Sequence, residues 1–105
     1  MLVLFPFTDL TSTKRRPAVV ISPDNFNSSN EDLVLAAVTS QVTQQRSPAV
    51  FVGRGDVEGG TLPKDSIVRL AKLFTLHSTL VAKRICRLMQ PKRDEVLGVL
   101  RAFLK

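Results

Sequence analysis

Leu33-Val34-Leu35-Ala36-Ala37-Val38-Thr39 is apolar almost from end to end. An uninterrupted apolar run of that length fits a strand buried on both faces. Shorter stretches of the same kind lie on either side of it, separated by turn chemistry. Upstream, residues 2–7 read as a first strand, 8–16 as a polar loop of Thr, Asp, Ser, Lys and Arg, and 17–22 as a second strand. The proline that opens this second strand is tolerated only at a strand's first residue or on an edge. Residues 23–32 form a loop rich in Asn, Ser and Asp.

Downstream, residues 41–48 are polar and Ala49-Val50-Phe51-Val52 is a short strand. Residues 53–63 hold four of the five glycines and predict a mobile loop or hairpin end. Residues 66–70 are a strand, and the apolar pattern resumes at 74–76. Residues 77–80 fit one helical turn. Residues 82–88 alternate as a last strand with Ala82, Arg84, Cys86 and Leu88 on one face. The end of the chain changes period. Val96, Val99, Leu100, Phe103 and Leu104 recur at helical spacing, and Pro91 suits a first turn. Asp94 and Glu95 are expected near the positive end of that helix, and Arg101 and Lys105 near the negative end. Gly98 costs about 1 kcal/mol relative to alanine, so the helix needs tertiary packing.

Five to seven short strands with one C-terminal helix, in 105 residues, predict a mainly β single domain spanning 1–105, built as a small, strongly curved barrel. Hydrophobic residues make up 44% and charged residues 23%, which excludes a disordered chain. The single cysteine rules out an internal disulfide and points to a reducing compartment. Its thiol reads as structural. The apolar N-terminus is short, lacks a basic segment and breaks at Pro6, so it does not read as a signal peptide, and no apolar run approaches a membrane span. The expectation is a soluble, cytoplasmic protein. Its net charge of +6 suits a polyanionic partner, or serves solubility alone.

Three features offer chemistry. Lys14-Arg15-Arg16-Pro17 ends a polar loop as a strand begins, where Arg is able to grip a phosphate bidentately. A solvated turn is the alternative. Val38-Thr39-Ser40-Gln41 sets two hydroxyls and an amide where a buried strand emerges, either to face a ligand or to satisfy nearby backbone groups. Arg69 interrupts the apolar strand Ile67-Val68-Arg69-Leu70 and must leave the core face or meet an anion. With one histidine and one cysteine the chain has no zinc-ligand spacing, and no metal or other cofactor is expected. The glycine-rich stretch lacks the context of a phosphate-binding loop. His77 reads as a turn or cap residue, and Asp9 as a base or, preferably, a loop-capping carboxylate.

In order along the chain, Phe5-Pro6-Phe7-Thr8-Asp9, Arg15-Arg16-Pro17-Ala18-Val19-Val20-Ile21, Ala37-Val38-Thr39-Ser40, Asp65-Ser66-Ile67-Val68-Arg69 and Glu95-Val96-Leu97-Gly98-Val99-Leu100 resemble the MazF/PemK toxins. That resemblance implies an SH3-like, CcdB/PemK-type barrel. It implies the toxin of a type II toxin–antitoxin pair that cuts single-stranded RNA at short sequences without a metal, pairs as a homodimer and is covered by an acidic, partly disordered antitoxin. Carried over, the catalytic positions are Arg16, Thr39, Ser40 and Arg69, with Lys14, Arg15, Asp9, Gln41 and Phe26 as RNA-binding candidates. Some members carry an aspartate two residues after the strand arginine, where this chain has Ala71. Two alternatives stay open: a CcdB-like toxin that poisons DNA gyrase without catalysis, and a barrel that binds nucleic acid and cuts nothing. Of the six phenylalanines, Phe5, Phe7, Phe51, Phe74 and Phe103 read as core, which leaves Phe26 for stacking on bases.

Overall fold

Pairing of the apolar stretches produces one antiparallel sheet. In a computed structural model that describes residues 3–8, 15–23, 31–40, 48–80 and 84–105, the strands are β1 Val3–Thr8, β2 Arg15–Val20, β3 Asp32–Thr39, β4 Ala49–Val52, β5 Val57–Glu58, β6 Ser66–His77 and β7 Cys86–Leu88. Helix α1, Gln90–Phe103, follows. The strand order is β4-β6-β3-β2-β1-β7-β5. β3 therefore lies well inside the sheet, as its unbroken apolar run requires.

The sheet carries apolar residues on both faces. One face holds Val19, Ala36, Val38, Val50, Val52, Val68, Leu70, Cys86 and Leu88, joined by Leu62 and by Val96 of α1. β4 and β7 lie near opposite ends of the strand order yet feed this one cluster, so the sheet curls around it as a barrel does. α1 packs on β4 and β6. The other face holds Ala18, Val20, Leu33 and Leu35, with Phe74 and Leu76 against them.

Several boundaries differ from the sequence expectation. β2 begins at Arg15, because the β1–β2 hairpin pairs Thr8 with Arg15 and Phe7 with Arg16 whatever the polarity of those residues. Pro17 is thus neither the first residue of its strand nor on an edge. It sits opposite Pro6. The recorded β2–β3 pairs stop at Ala18 and the β1–β7 pairs at Leu4, so neither missing N–H interrupts a paired stretch on the outer side. β6 is one strand of 12 residues, with a bulge. Ala36 pairs with Leu73 and Ala37 with Arg69, leaving Leu70, Ala71 and Lys72 without partners on β3. The exposed Ala71 and Lys72 are what break the apolar pattern in the sequence.

The glycine-rich stretch is folded. It contains a 3-10 turn, Arg54–Asp56, and then β5. Gly59 has φ of 70°, and a Cβ on Gly60 would run into the Ile85 carbonyl oxygen. The last strand is short, and Arg84 is exposed ahead of it while Cys86 and Leu88 are buried. α1 starts at Gln90 with Pro91 in its opening positions, which moves Asp94 and Glu95 beyond the first turn; Arg101 is in the last turn. Val96 is its buried residue, whereas Phe103 is 48% exposed and Leu104, just past its end, is 66% exposed. Among the described residues no helix is long and apolar enough to cross a membrane.

Candidate active site

Strand register decides which of the candidate residues meet. Thr39 of β3 pairs with Ile67 of β6, and Ala37 pairs with Arg69. On the other side of β6, Phe51 of β4 pairs with Ile67 and Ala49 with Arg69. Directly paired residues share a sheet face. Thr39, Ile67 and Phe51 therefore form one transverse row, and Ala37, Arg69 and Ala49 form the next row on the same face. Ala18 of β2 extends the second row through its pair with Ala37. The intervening residues, Val38, Val50 and Val68, turn to the barrel core. An arginine survives within an apolar strand because alternation assigns it to the face opposite that core.

Thr39 and Arg69 are diagonal neighbours on that face, a Cα separation of about 7–8 Å. Arg69 is half-buried, and its direct partners on both neighbouring strands are alanines, Ala37 and Ala49. Among the described residues no carboxylate forms an ion pair with it. A guanidinium in that setting offers a planar fork of donors to a phosphate. Ser40 follows β3 directly and is exposed. Arg16 enters through β2, where its backbone lies opposite Phe7. The β2–β3 alignment fixed by Ala18 and Ala37, carried two residues past that pair, brings the backbone of Arg16 level with Thr39.

Four sequence candidates, Asp9, Lys14, Phe26 and Gln41, lie outside the described residues, and Arg15 is placed by its backbone pair with Thr8. His77 ends β6 away from this face and caps the next turn. Its Nδ1 accepts the Thr79 N–H at 3.2 Å and meets Thr79 Oγ1 at 2.7 Å. Its Nε2 faces Glu31 Oε2 at 3.3 Å. Cys86 is fully buried, and burial pushes its thiol pKa up, which leaves it protonated and inert. Among the described residues no three His, Cys, Asp or Glu side chains gather as a metal site.

Two arrangements escape the sequence reading. Phe51 and Phe103, both read as core, are 43% and 48% exposed, while Val50 and Val52 beside Phe51 are buried. Asp56 also ties the glycine-rich turn down. Its carboxylate accepts the Gly53 N–H at 2.8 Å and faces Lys92 Nζ of α1 at 3.7 Å, and its carbonyl accepts the Met89 N–H at 2.8 Å.

Over residues 2–104 the chain matches the family model described as PemK-like, MazF-like toxin of type II toxin-antitoxin system. The chain belongs to that family. Among MazF relatives, it is 33% identical over 93 residues to "Endoribonuclease MazF2" of Mycobacterium bovis, covering 87% of this chain and 79% of the relative. The same identity and coverage hold for "Endoribonuclease MazF6" of Mycobacterium tuberculosis. The fold matches the solved "Mycobacterium tuberculosis toxin MazF-mt6" with a TM-score of 0.74 at 15% identity, over 96% of this chain and 95% of that one. It also matches an "Endoribonuclease in complex with its cognate antitoxin from Mycobacterial species" with a TM-score of 0.78 at 17% identity, over 97% and 90%. The MazF-type fold expected from the sequence, mainly β with one C-terminal helix, is the fold observed.

Proposed function

We propose that this chain is the toxin of a type II toxin–antitoxin pair and a metal-independent, sequence-specific endoribonuclease acting on single-stranded RNA. The observation that carries the reading is the register that sets Thr39 and Arg69 as diagonal neighbours on one face, with Arg16 aligned toward Thr39. The family match and the endoribonuclease relatives support it.

In the reaction the ribose 2′-oxygen attacks the adjacent phosphorus as its proton leaves. The bond from phosphorus to the 5′-oxygen breaks, and that oxygen takes up a proton. The products are a 2′,3′-cyclic phosphate and a 5′-hydroxyl. Negative charge grows on the non-bridging oxygens, and Arg69 and Arg16 stabilise it as fixed cations. Thr39 and Ser40 hydrogen-bond the phosphate and hold the attacking hydroxyl in line. Lys14, Arg15, Asp9, Gln41 and Phe26 belong to the RNA-binding surface in this reading. The protein works in the cytoplasm as a homodimer of single-domain chains, held in check by an acidic, partly disordered antitoxin whose charge complements the toxin's +6. Purified protein incubated with long single-stranded RNA and EDTA tests this. Discrete cuts at one short recurring sequence, lost in Arg16→Ala, are expected, and intact RNA contradicts the reading.

One observation favours a second, non-catalytic reading. Phe103 and Leu104 stand exposed at the end of the chain, where a CcdB-like gyrase poison would make its contact. Inhibition of gyrase supercoiling by a protein that leaves RNA intact would select it.

A further inference from the structure

We propose that Asp56 is a positioning residue for RNA binding: from an anchor on α1 it fixes the Gly53 backbone, and Gly53 sets where the outward ring of Phe51 stands. The inference rests on the endoribonuclease reading above and adds to it a residue that touches no RNA.

Asp56 and Gly53 bind each other twice across the 3-10 turn. The Gly53 N–H donates to Asp56 Oδ2 at 2.8 Å, and the Asp56 N–H donates to the Gly53 carbonyl at 3.1 Å. The first of these is charge-assisted, and such bonds are roughly twice as strong as neutral ones. Asp56 is held from its other side by α1. Its carbonyl accepts the N–H of Met89, the residue that opens the helix, at 2.8 Å. Its carboxylate faces Lys92 Nζ at 3.7 Å, and the Lys92 side chain, 14% exposed, also meets Glu95 at 2.9 Å. α1 itself packs on β4 and enters the core through Val96. The place of Gly53 is therefore set by a helix seated on the barrel as well as by the turn.

Gly53 in turn limits the Phe51 ring. A Cβ built on Gly53 would stand 3.2 Å from Phe51 Cε1. Gly53 has φ of −102° and ψ of 176°, an extended backbone open to any residue, so the glycine answers to the space the ring takes. Phe51 is 43% exposed, and contact with Gly53 restrains its ring on that side. Through Ile67 it shares a row with Thr39, on the face that the reading above gives to RNA, and Arg69 is in the next row. A shift of Gly53 thus reaches that face through the ring. A ring freed in this way has to be ordered again each time RNA binds, and that cost appears as lost affinity.

The probe is a single-stranded RNA oligonucleotide of the mapped cut sequence with one 2′-deoxy nucleotide at the cut, so that it binds without being cleaved. Asp56→Ala, assayed well below its melting temperature, should bind it about two- to tenfold more weakly, the cost of ordering one loosened side chain. On cleavable RNA its KM should rise by a similar factor, with kcat per folded molecule unchanged. Asp56→Asn keeps an oxygen for the Gly53 N–H and should bind nearly as tightly as the wild-type chain, as should Lys92→Met. Gly53→Ala leaves Asp56 in place but crowds the ring, and it should show the same rise in KM, which keeps the test open if Asp56→Ala folds poorly. In a chain that already carries Phe51→Ala, neither substitution should weaken binding further. Four results would overturn the role of Asp56 and leave the nuclease reading intact. They are an unchanged KM in both Asp56→Ala and Gly53→Ala, a fall in kcat alone, Asp56→Asn as weak as Asp56→Ala, and a loss that persists in full beside Phe51→Ala. Failure of the wild-type chain to cut or bind RNA overturns the parent reading and the role of Asp56 together.

Discussion

Arg69 is the diagonal neighbour of Thr39 across the β6–β3 pair, on the sheet face turned away from the barrel core. Carrying a cation and a hydroxyl on paired strands places both by the sheet register, and oriented donors of that kind give strong electrostatic stabilisation. Arg69→Ala should lower kcat by about 100- to 1000-fold, the usual effect of removing one preorganised donor. Arg69→Lys should recover little of it, because an ammonium lacks the bidentate fork. A fluorogenic RNA assay measures both, and a melting temperature close to that of the parent shows that the half-buried side chain does not hold the fold.

Thr39→Ala and the double variant Thr39→Ala/Arg69→Ala measure whether the two act as a unit. Groups that serve one transition state give losses that do not add. The double variant is expected to be little slower than Arg69→Ala alone. A fully additive loss in kcat would separate their roles.

Two glycines should respond in opposite directions. Gly60 meets the Ile85 backbone, which has no way to yield, so Gly60→Ala should destabilise the chain by about 2 kcal/mol or more. Gly98 is exposed on α1 and a Cβ there meets nothing within 4 Å. Gly98→Ala should stabilise the chain by about 0.5–1 kcal/mol through helix propensity. Urea denaturation reads both signs.

The contacts of Asp56 rank two further variants. Its carboxylate accepts the Gly53 N–H at 2.8 Å, whereas Lys92 stands 3.7 Å away and is itself shared with Glu95 at 2.9 Å. Asp56→Ala orphans a part-buried donor and should cost about 1–2 kcal/mol. Lys92→Met keeps the packed stem and loses an ion pair, which costs less than about 1 kcal/mol. Thermal melts of the two variants check the order.

Cys86 sets an alkaline limit on stability. Burial raises its folded pKa above the ordinary 9.0, so the folded chain keeps the proton after the unfolded chain has lost it. The associated stability is fully present below pH ~9 and falls as pH rises through the folded pKa, by up to about 1.4 kcal/mol per pH unit. Denaturant midpoints between pH 8 and about 10.5 should fall more steeply for the parent than for Cys86→Ala, whose cavity lowers the whole curve without that slope.

Much of this architecture is written in local pattern. The unbroken run at 33–39 gives the interior strand, and the change of period after Pro91 gives the helix. What local pattern does not carry is pairing. Arg15 and Arg16 belong to β2 because Thr8 and Phe7 lie opposite them, and β6 runs through the exposed Ala71 and Lys72 because a bulge takes up those residues. In Ala49-Val50-Phe51-Val52 every residue is apolar, so composition does not say which faces the core. Only the pairs with β6 turn Phe51 outward. The grouping of Thr39 with Arg69 follows from the same register, whereas their separation of 30 positions hides it in the sequence.

The most direct test of the account is the chemistry of the cut ends. RNA digested by the purified protein in EDTA should carry 5′-hydroxyl and 2′,3′-cyclic phosphate termini at one recurring sequence, and a single 2′-deoxy substitution at that position should block the cut. Products with 5′-phosphate ends, or cleavage that persists at the 2′-deoxy position, would contradict attack by the ribose hydroxyl and with it the roles given to Arg16, Thr39, Ser40 and Arg69.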